Sequence, residues 1–140
     1  MSEIRDLYQQ TILDHNKNPR NFGKPAGYNR QAEGYNPLCG DRVHIYVVWA
    51  EEKISGIGFE GSGCAISRAS ASLMTEASQN KTVDEIRDLF QRFESMLSSG
   101  ITEDLGELNA LSGVRQFPVR IQCAKLPWET LLQSFAKCCS

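Results

Sequence analysis

Apolar positions recur at three-and-four spacing over Ile4, Leu7, Tyr8, Thr11 and Ile12, which predicts an amphipathic helix from Ser2 to about Asn16. Ser2 offers an N-cap with Glu3 in the first turn, and Pro19 disfavours helix at Asn18 and so closes the element. His15, near that end, reads as a cation at a helix C-terminus rather than as a ligand. From Phe22 to Gly40 the chain is rich in Gly, Pro and Asn, with room for a short strand over Arg30 to Tyr35. The period then changes to two. Val43, Ile45, Val47 and Trp49 alternate with His44, Tyr46 and Val48, which predicts a strand from Arg42 to Ala50. Glu51-Glu52-Lys53 is a polar turn, and Ile54 to Glu60 returns as a second strand, making an antiparallel hairpin. His44 falls on the more polar face, a structural or solvent-facing place.

Helical spacing resumes after the turn Gly61-Ser62-Gly63-Cys64. Small residues from Ala65 to Met74 suit a helix packed closely against another element, with Cys64 at its start. Thr82-Val83-Asp84-Glu85 is a capping box. It opens a helix that runs to about Leu97, with Val83, Ile86, Leu89, Phe90, Phe93 and Leu97 as its buried stripe. Residues 101–113 are acidic with Leu105, Leu108 and Leu111 spaced by three, which reads as a short helix on the surface. A final helix is expected from about Ala124, carrying Trp128, Leu131, Leu132 and Phe135, with Pro127 in its first turn. The order is one helix, two or three strands, then helices only. That is an α+β domain: a small antiparallel sheet of about three strands with helices packed on one face.

Composition narrows the function. The 140 residues suit a single domain, and 41% hydrophobic with 23% charged residues is ordinary for a globular chain. Fifteen basic against seventeen acidic residues leave a net charge of -2, which argues against a nucleic-acid or anionic-membrane partner. No apolar run approaches the ~20 residues of a membrane helix. The start, Met1-Ser2-Glu3-Ile4-Arg5-Asp6, has none of the parts of a secretory signal, so a cytoplasmic location is expected.

The five cysteines do change the picture. An odd number without a signal peptide disfavours a disulfide framework and leaves metal binding, thiol chemistry or burial. Cys138 and Cys139 fall in a short tail over 138–140. Cys39, Cys64 and Cys123 lie at junctions of loops with regular elements, where a rigid scaffold holds reactive groups within reach of solvent. At the start of a helix, exposed amides and the dipole favour a Cys64 thiolate. In Cys39-Gly40-Asp41 the glycine lets thiolate and carboxylate point at one centre. Three thiolates and one carboxylate form a tetrahedral zinc shell, less closed than four cysteines. Their four negative charges against two positive ones call for a nearby cation, and Arg120 is a candidate. The spacing does not match paired zinc-finger motifs, so three unrelated buried thiols remain the alternative on spacing alone.

Taken together, three segments resemble a known family. Pro37-Leu38-Cys39-Gly40-Asp41, Gly61-Ser62-Gly63-Cys64-Ala65-Ile66-Ser67 and Val119-Arg120-Ile121-Gln122-Cys123-Ala124 are similar to the cysteine motifs of the IscU/NifU-type iron–sulfur cluster assembly proteins. Leu7-Tyr8 and His15-Asn16-Lys17-Asn18-Pro19-Arg20-Asn21 resemble the amino-terminal segment of that family. The long stretch between the second and third cysteines, and Gln122 where the IscU branch has histidine, resemble the SufU branch. Phe117-Pro118-Val119-Arg120 also departs from the Leu-Pro-Pro-Val-Lys chaperone motif of the IscU branch. The resemblance implies one IscU/NifU-like domain over 1–137. It implies a zinc ion held by Cys39, Asp41, Cys64 and Cys123. It also implies a pyridoxal-phosphate cysteine desulfurase as partner, with Cys39 as the sulfur acceptor, and downstream cluster assembly proteins. On that reading the chain is a zinc-dependent sulfurtransferase. The alternatives are a scaffold holding iron or a labile [2Fe–2S] cluster on the same residues, and a purely structural zinc.

Overall fold

In the computed structural model, which describes residues 2–101 and 103–135, with side chains from Gln9 onward, the period-two segments pair as a meander. Strands β1 (Arg30–Asn36), β2 (Asp41–Ala50) and β3 (Lys53–Ser62) form one antiparallel sheet in the order β1-β2-β3. Ile45 sits opposite Ala32 on one side and Phe59 on the other, and Asn36 opposite Asp41 at the tip of the first hairpin. Helix α1 (Ser2–Lys17) precedes the sheet; α2 (Ala65–Ala77), α3 (Val83–Ser99), a 3-10 segment (Gly106–Gln116) and α4 (Pro118–Gln133) follow it. The expected α+β architecture, with three strands and helices on one face, is the one observed.

Alternation along β2 sends Val43, Ile45 and Val47 inward, where they join Phe59, Met74, Phe93, Leu97, Leu111, Trp128 and Leu131 in one core. Helix α3 starts as its sequence dictates: Glu85 N–H donates to Thr82 Oγ1 at 3.2 Å, and Thr82 N–H to Glu85 Oε1 at 2.9 Å. That backbone bond to Thr82 holds the Glu85 carboxyl below its ordinary range.

Several local expectations are corrected. His15 lies in the last turn of α1, as expected, but it is fully buried and bonded to neighbouring elements. Its ring links three elements: Nδ1 is 2.7 Å from Ser72 Oγ on α2, and Nε2 is 3.1 Å from Glu107 Oε2 on the 3-10 segment. Ser72 Oγ also accepts the Arg20 N–H, at 2.8 Å. Both ring nitrogens are thus engaged, with Nε2 donating to the Glu107 carboxylate. The leucine-spaced stretch after residue 101 is not a surface helix. Its Leu108, Leu111 and Val114 enter the core as a 3-10 segment, since side chains three apart line one edge at three residues per turn. Helix α4 begins at Pro118 rather than Ala124, with proline preorganised for the first turn. Pro127 is therefore in the helix interior, where it donates no bond to the Cys123 carbonyl one turn back. Cys123 is accordingly inside a helix rather than at its edge. Ile4, Leu7 and Tyr8 lie outside the described side chains, and Cys138 and Cys139 outside the described residues.

Candidate metal centre

The β1-β2 hairpin carries Cys39 at its tip, within the turn between Asn36 and Asp41. Gly40 closes that turn with φ +70°, a value that suits glycine. Asp41, the first residue of β2, is fully buried. Its Oδ1 accepts the Cys64 N–H at 2.8 Å, so the carboxylate sits against the N-terminus of α2, where the helix dipole favours negative charge. Gly63, at φ +143°, packs onto this carboxyl so closely that a Cβ there would overlap Asp41 Oδ1. Cys64 is the N-cap of α2, as expected, and its thiol lies 3.9 Å from Asp41 Oδ2. Cys123 reaches the same place from α4, fully buried, with its Sγ 3.2 Å from Cys39 Sγ. A buried bond from the Ser70 hydroxyl to the Ala124 carbonyl, 2.5 Å, ties α4 to α2 next to it.

Sulfur and oxygen donors of Cys39, Asp41 and Cys123 all lie within 4.8 Å of one another. Cys64 stands just outside that set, joined to it through Asp41. Burial pushes the Cys123 thiol well above its ordinary range, and hydrogen bonds with Asp41, Cys39 and Cys64 add to the effect. Arg120 is exposed on the rim. The charge of Cys64, and a hydrogen bond with it, raise the Arg120 guanidinium above its usual value, with smaller contributions from Cys123 and Cys39.

Such a donor set fits a zinc ion. Zn–S bonds of about 2.3 Å in a tetrahedron place sulfurs about 3.8 Å apart, so Cys39 and Cys123 need only a small separation. Taking the proton from Cys123 on binding would also relieve a buried thiol that is otherwise hard to ionise. Around the centre lies an open cleft of about 720 Å³ lined by Leu38, Cys39, Cys64, Phe117, Val119 and Arg120. Its apolar rim is solvent-exposed: Leu38 is 74%, Phe117 60% and Val119 47% accessible. A wider groove, about 790 Å³ between Leu73, Asp88, Arg92 and Leu105, contains none of these cysteines.

Two other histidine environments carry no such chemistry. His15, Glu76 and Glu107 also bring donor atoms within 4.8 Å, but the imidazole is committed on both nitrogens as described above. His44 is half-buried on the outer sheet face, 2.7 Å from Gln31 and stacked on Tyr46, the structural place expected of it. One neighbour of the centre escaped the sequence reading. Asn36 is buried, with its Nδ2 3.8 Å from Cys123 Sγ and its Oδ1 accepting Leu38 N–H at 3.1 Å. A polar residue directly before a turn proline is a common loop feature, so nothing in the linear pattern tied it to Cys123.

A small meander sheet that delivers one thiol from a hairpin tip, one from a helix N-terminus and one from a second helix to a buried carboxylate defines an α+β domain with a cysteine-rich metal-type centre at its rim. The chain belongs to the NifU-like N-terminal domain family, whose pattern it matches over residues 7–137. It is 40% identical to the zinc-dependent sulfurtransferase SufU of Bacillus subtilis, over 97% of this chain and 94% of that one. It is 35% identical to the iron–sulfur cluster assembly scaffold protein IscU of Streptococcus pyogenes, over 98% and 87%. A crystal structure of a Fervidobacterium islandicum protein assigned as an iron–sulfur cluster assembly scaffold for the SUF system has the same fold. Its TM-score is 0.84 at 33% identity, covering 91% of this chain and 95% of that one. The resemblance seen in the three cysteine segments is borne out. No helix among the described residues is long and apolar enough to cross a membrane.

Proposed function

We propose that this chain is a zinc-dependent sulfur-relay protein of iron–sulfur cluster assembly, which accepts persulfide sulfur from a pyridoxal-phosphate cysteine desulfurase on Cys39. The observation that carries the reading is the asymmetry of the centre. Asp41 and Cys123 are fully buried, whereas Cys39 shares their cluster from the tip of a hairpin beside an exposed apolar rim. The similarity to SufU of Bacillus subtilis supports it. Cys39, Asp41, Cys64 and Cys123 would hold the ion, which when bound keeps thiolates deprotonated with their lone pairs engaged.

The chain's own groups supply the rest. Leu38, Phe117 and Val119 present an apolar surface on which a partner's cysteine-bearing loop can dock. Arg120 offers a positive charge to an incoming persulfide anion. As a thiolate, Cys39 would attack the outer sulfur of the desulfurase persulfide. A new S–S bond forms on Cys39, the partner's S–S bond breaks, and the desulfurase cysteine leaves as thiolate, with no net oxidant or reductant. The persulfide on Cys39 then passes toward downstream cluster assembly proteins.

The test is desulfurase turnover with and without this protein, alongside metal analysis of anaerobically purified material. Stoichiometric zinc and faster turnover are expected. Cys39→Ala and Asp41→Ala proteins that stimulate as well as the parent would refute the relay. A second reading, a scaffold for a labile [2Fe–2S] cluster, draws on the same three-sulfur, one-oxygen donor set and on the similarity to IscU of Streptococcus pyogenes. Anaerobic reconstitution separates the two: a visible chromophore that transfers to an apo-ferredoxin selects the scaffold.

A further inference from the structure

Cys39 and Cys123 are chemically identical ligands, 3.2 Å apart, and yet a relay needs one of them to leave and the other to stay. Asn36 distinguishes them. It ends β1, pairs with Asp41 across the sheet, and is only 8% exposed. Its Oδ1 accepts Leu38 N–H at 3.1 Å, an Asx turn that shapes the hairpin carrying Cys39. A backbone N–H can only donate, so the amide oxygen must face Leu38. That fixes the other end of the side chain: Nδ2 points at Cys123 Sγ, 3.8 Å away. One buried amide therefore touches both halves of the centre in different ways. It shapes the loop of one sulfur and donates directly to the other.

We propose that Asn36 is a positioning residue that makes Cys123 the retained sulfur and Cys39 the exchangeable one. An N–H···S bond draws electron density from the sulfur it meets and lowers its nucleophilicity. Cys123 receives that bond inside a helix that cannot move without disturbing the core. Cys39 rides on a four-residue turn at the rim, where the same amide sets only the backbone. The inference rests on the relay reading for its purpose, but the inequality of the two sulfurs is measurable without a desulfurase.

Asn36→Ser is the informative variant. A hydroxyl on the shorter side chain still accepts Leu38 N–H, as Ser does in such turns, but no donor spans the distance to Cys123. Zinc-loaded parent and variant are treated with iodoacetamide, and the alkylated peptides are quantified by mass spectrometry. Cobalt(II) substitution gives a second readout in the sulfur-to-metal charge-transfer band. In the parent, Cys39 is expected to label ahead of Cys123. In Asn36→Ser, Cys123 labelling is expected to rise roughly fivefold, the worth of one such hydrogen bond, with Cys39 labelling unchanged and the cobalt band moved to lower energy.

An unchanged ratio and band in a folded variant would overturn the proposal, and so would an equal rise at both cysteines, which marks general loosening. If Asn36→Ser does not fold, Asn36→Asp keeps shape and acceptor while losing the donor, and its cobalt band decides in the same direction. Transfer of labelled sulfur from a desulfurase to Cys39 is scored separately. Its absence alongside a shifted alkylation ratio defeats the relay and leaves the role of Asn36 standing. Its presence with an unshifted ratio does the reverse.

Discussion

Replacing Asp41 separates what its carboxyl does for the fold from what it does for a metal. The side chain is fully buried, and its Oδ1 accepts the Cys64 N–H at 2.8 Å at the start of α2. Hydrogen bonds to charged groups are worth about 1.5–3 kcal/mol, and neutral ones about 1 kcal/mol. Asp41→Ala removes the acceptor, so metal-free protein should lose about 2–3 kcal/mol of unfolding free energy. Asp41→Asn keeps an oxygen for the same N–H and should lose only about 1 kcal/mol, and the difference between the two isolates the cap. For zinc the two variants should converge, because an amide oxygen is a neutral and poorer donor than a carboxylate. Each should weaken zinc by more than the roughly 10–100-fold that follows loss of a residue which merely orients a ligand. Urea unfolding of metal-free protein measures the first quantity, and competition with a chromophoric chelator the second. The reasoning fails if Asp41→Asn binds zinc as tightly as the parent. It also fails if Asp41→Ala and Asp41→Asn are equally stable without metal.

Two further outcomes follow from groups away from the centre. His15→Ala removes a fully buried ring bonded to α2 and the 3-10 segment. It should cost about 3 kcal/mol and lower Tm by roughly 10 °C in differential scanning fluorimetry, whereas Glu107→Gln, which retains an acceptor, should cost under about 1 kcal/mol. A His15 acting only as a solvent-exposed group would show no more than a few tenths of a kcal/mol. Burial, and then its 2.7 Å hydrogen bond to Glu60, raise the Tyr46 hydroxyl to about 12. With the folded pKa above the ordinary value of about 10, this stability is full below pH 10 and is lost as pH rises toward 12. Tyr46→Phe should flatten the unfolding midpoint over that interval, and a slope equal to the parent's would contradict the assignment.

The cysteine motifs show how far local sequence reaches. Cys64 could be placed at a helix start because Gly61-Ser62-Gly63 ends one period and Ala65 begins another, and Asp41 could be paired with Cys39 across a single glycine. The boundary of α4 was missed because a proline at its first position and a second in its interior both look like breakers to a local reading. Packing against α2 and β1 outweighs the one bond that Pro127 forfeits.

Hydrophobic period and cap chemistry are properties of neighbouring residues. They determined α2, α3, the β2-β3 hairpin and the order in which three sulfurs meet the chain. Partnership across the chain is not local. That His15 faces Ser72 and Glu107, that the acidic leucine stretch enters the core, and that Asn36 reaches Cys123 each depend on where distant elements come to rest. Only the packed structure brings such donors and acceptors within 4 Å of each other, because a buried polar group must draw its partner from whatever the topology has placed beside it.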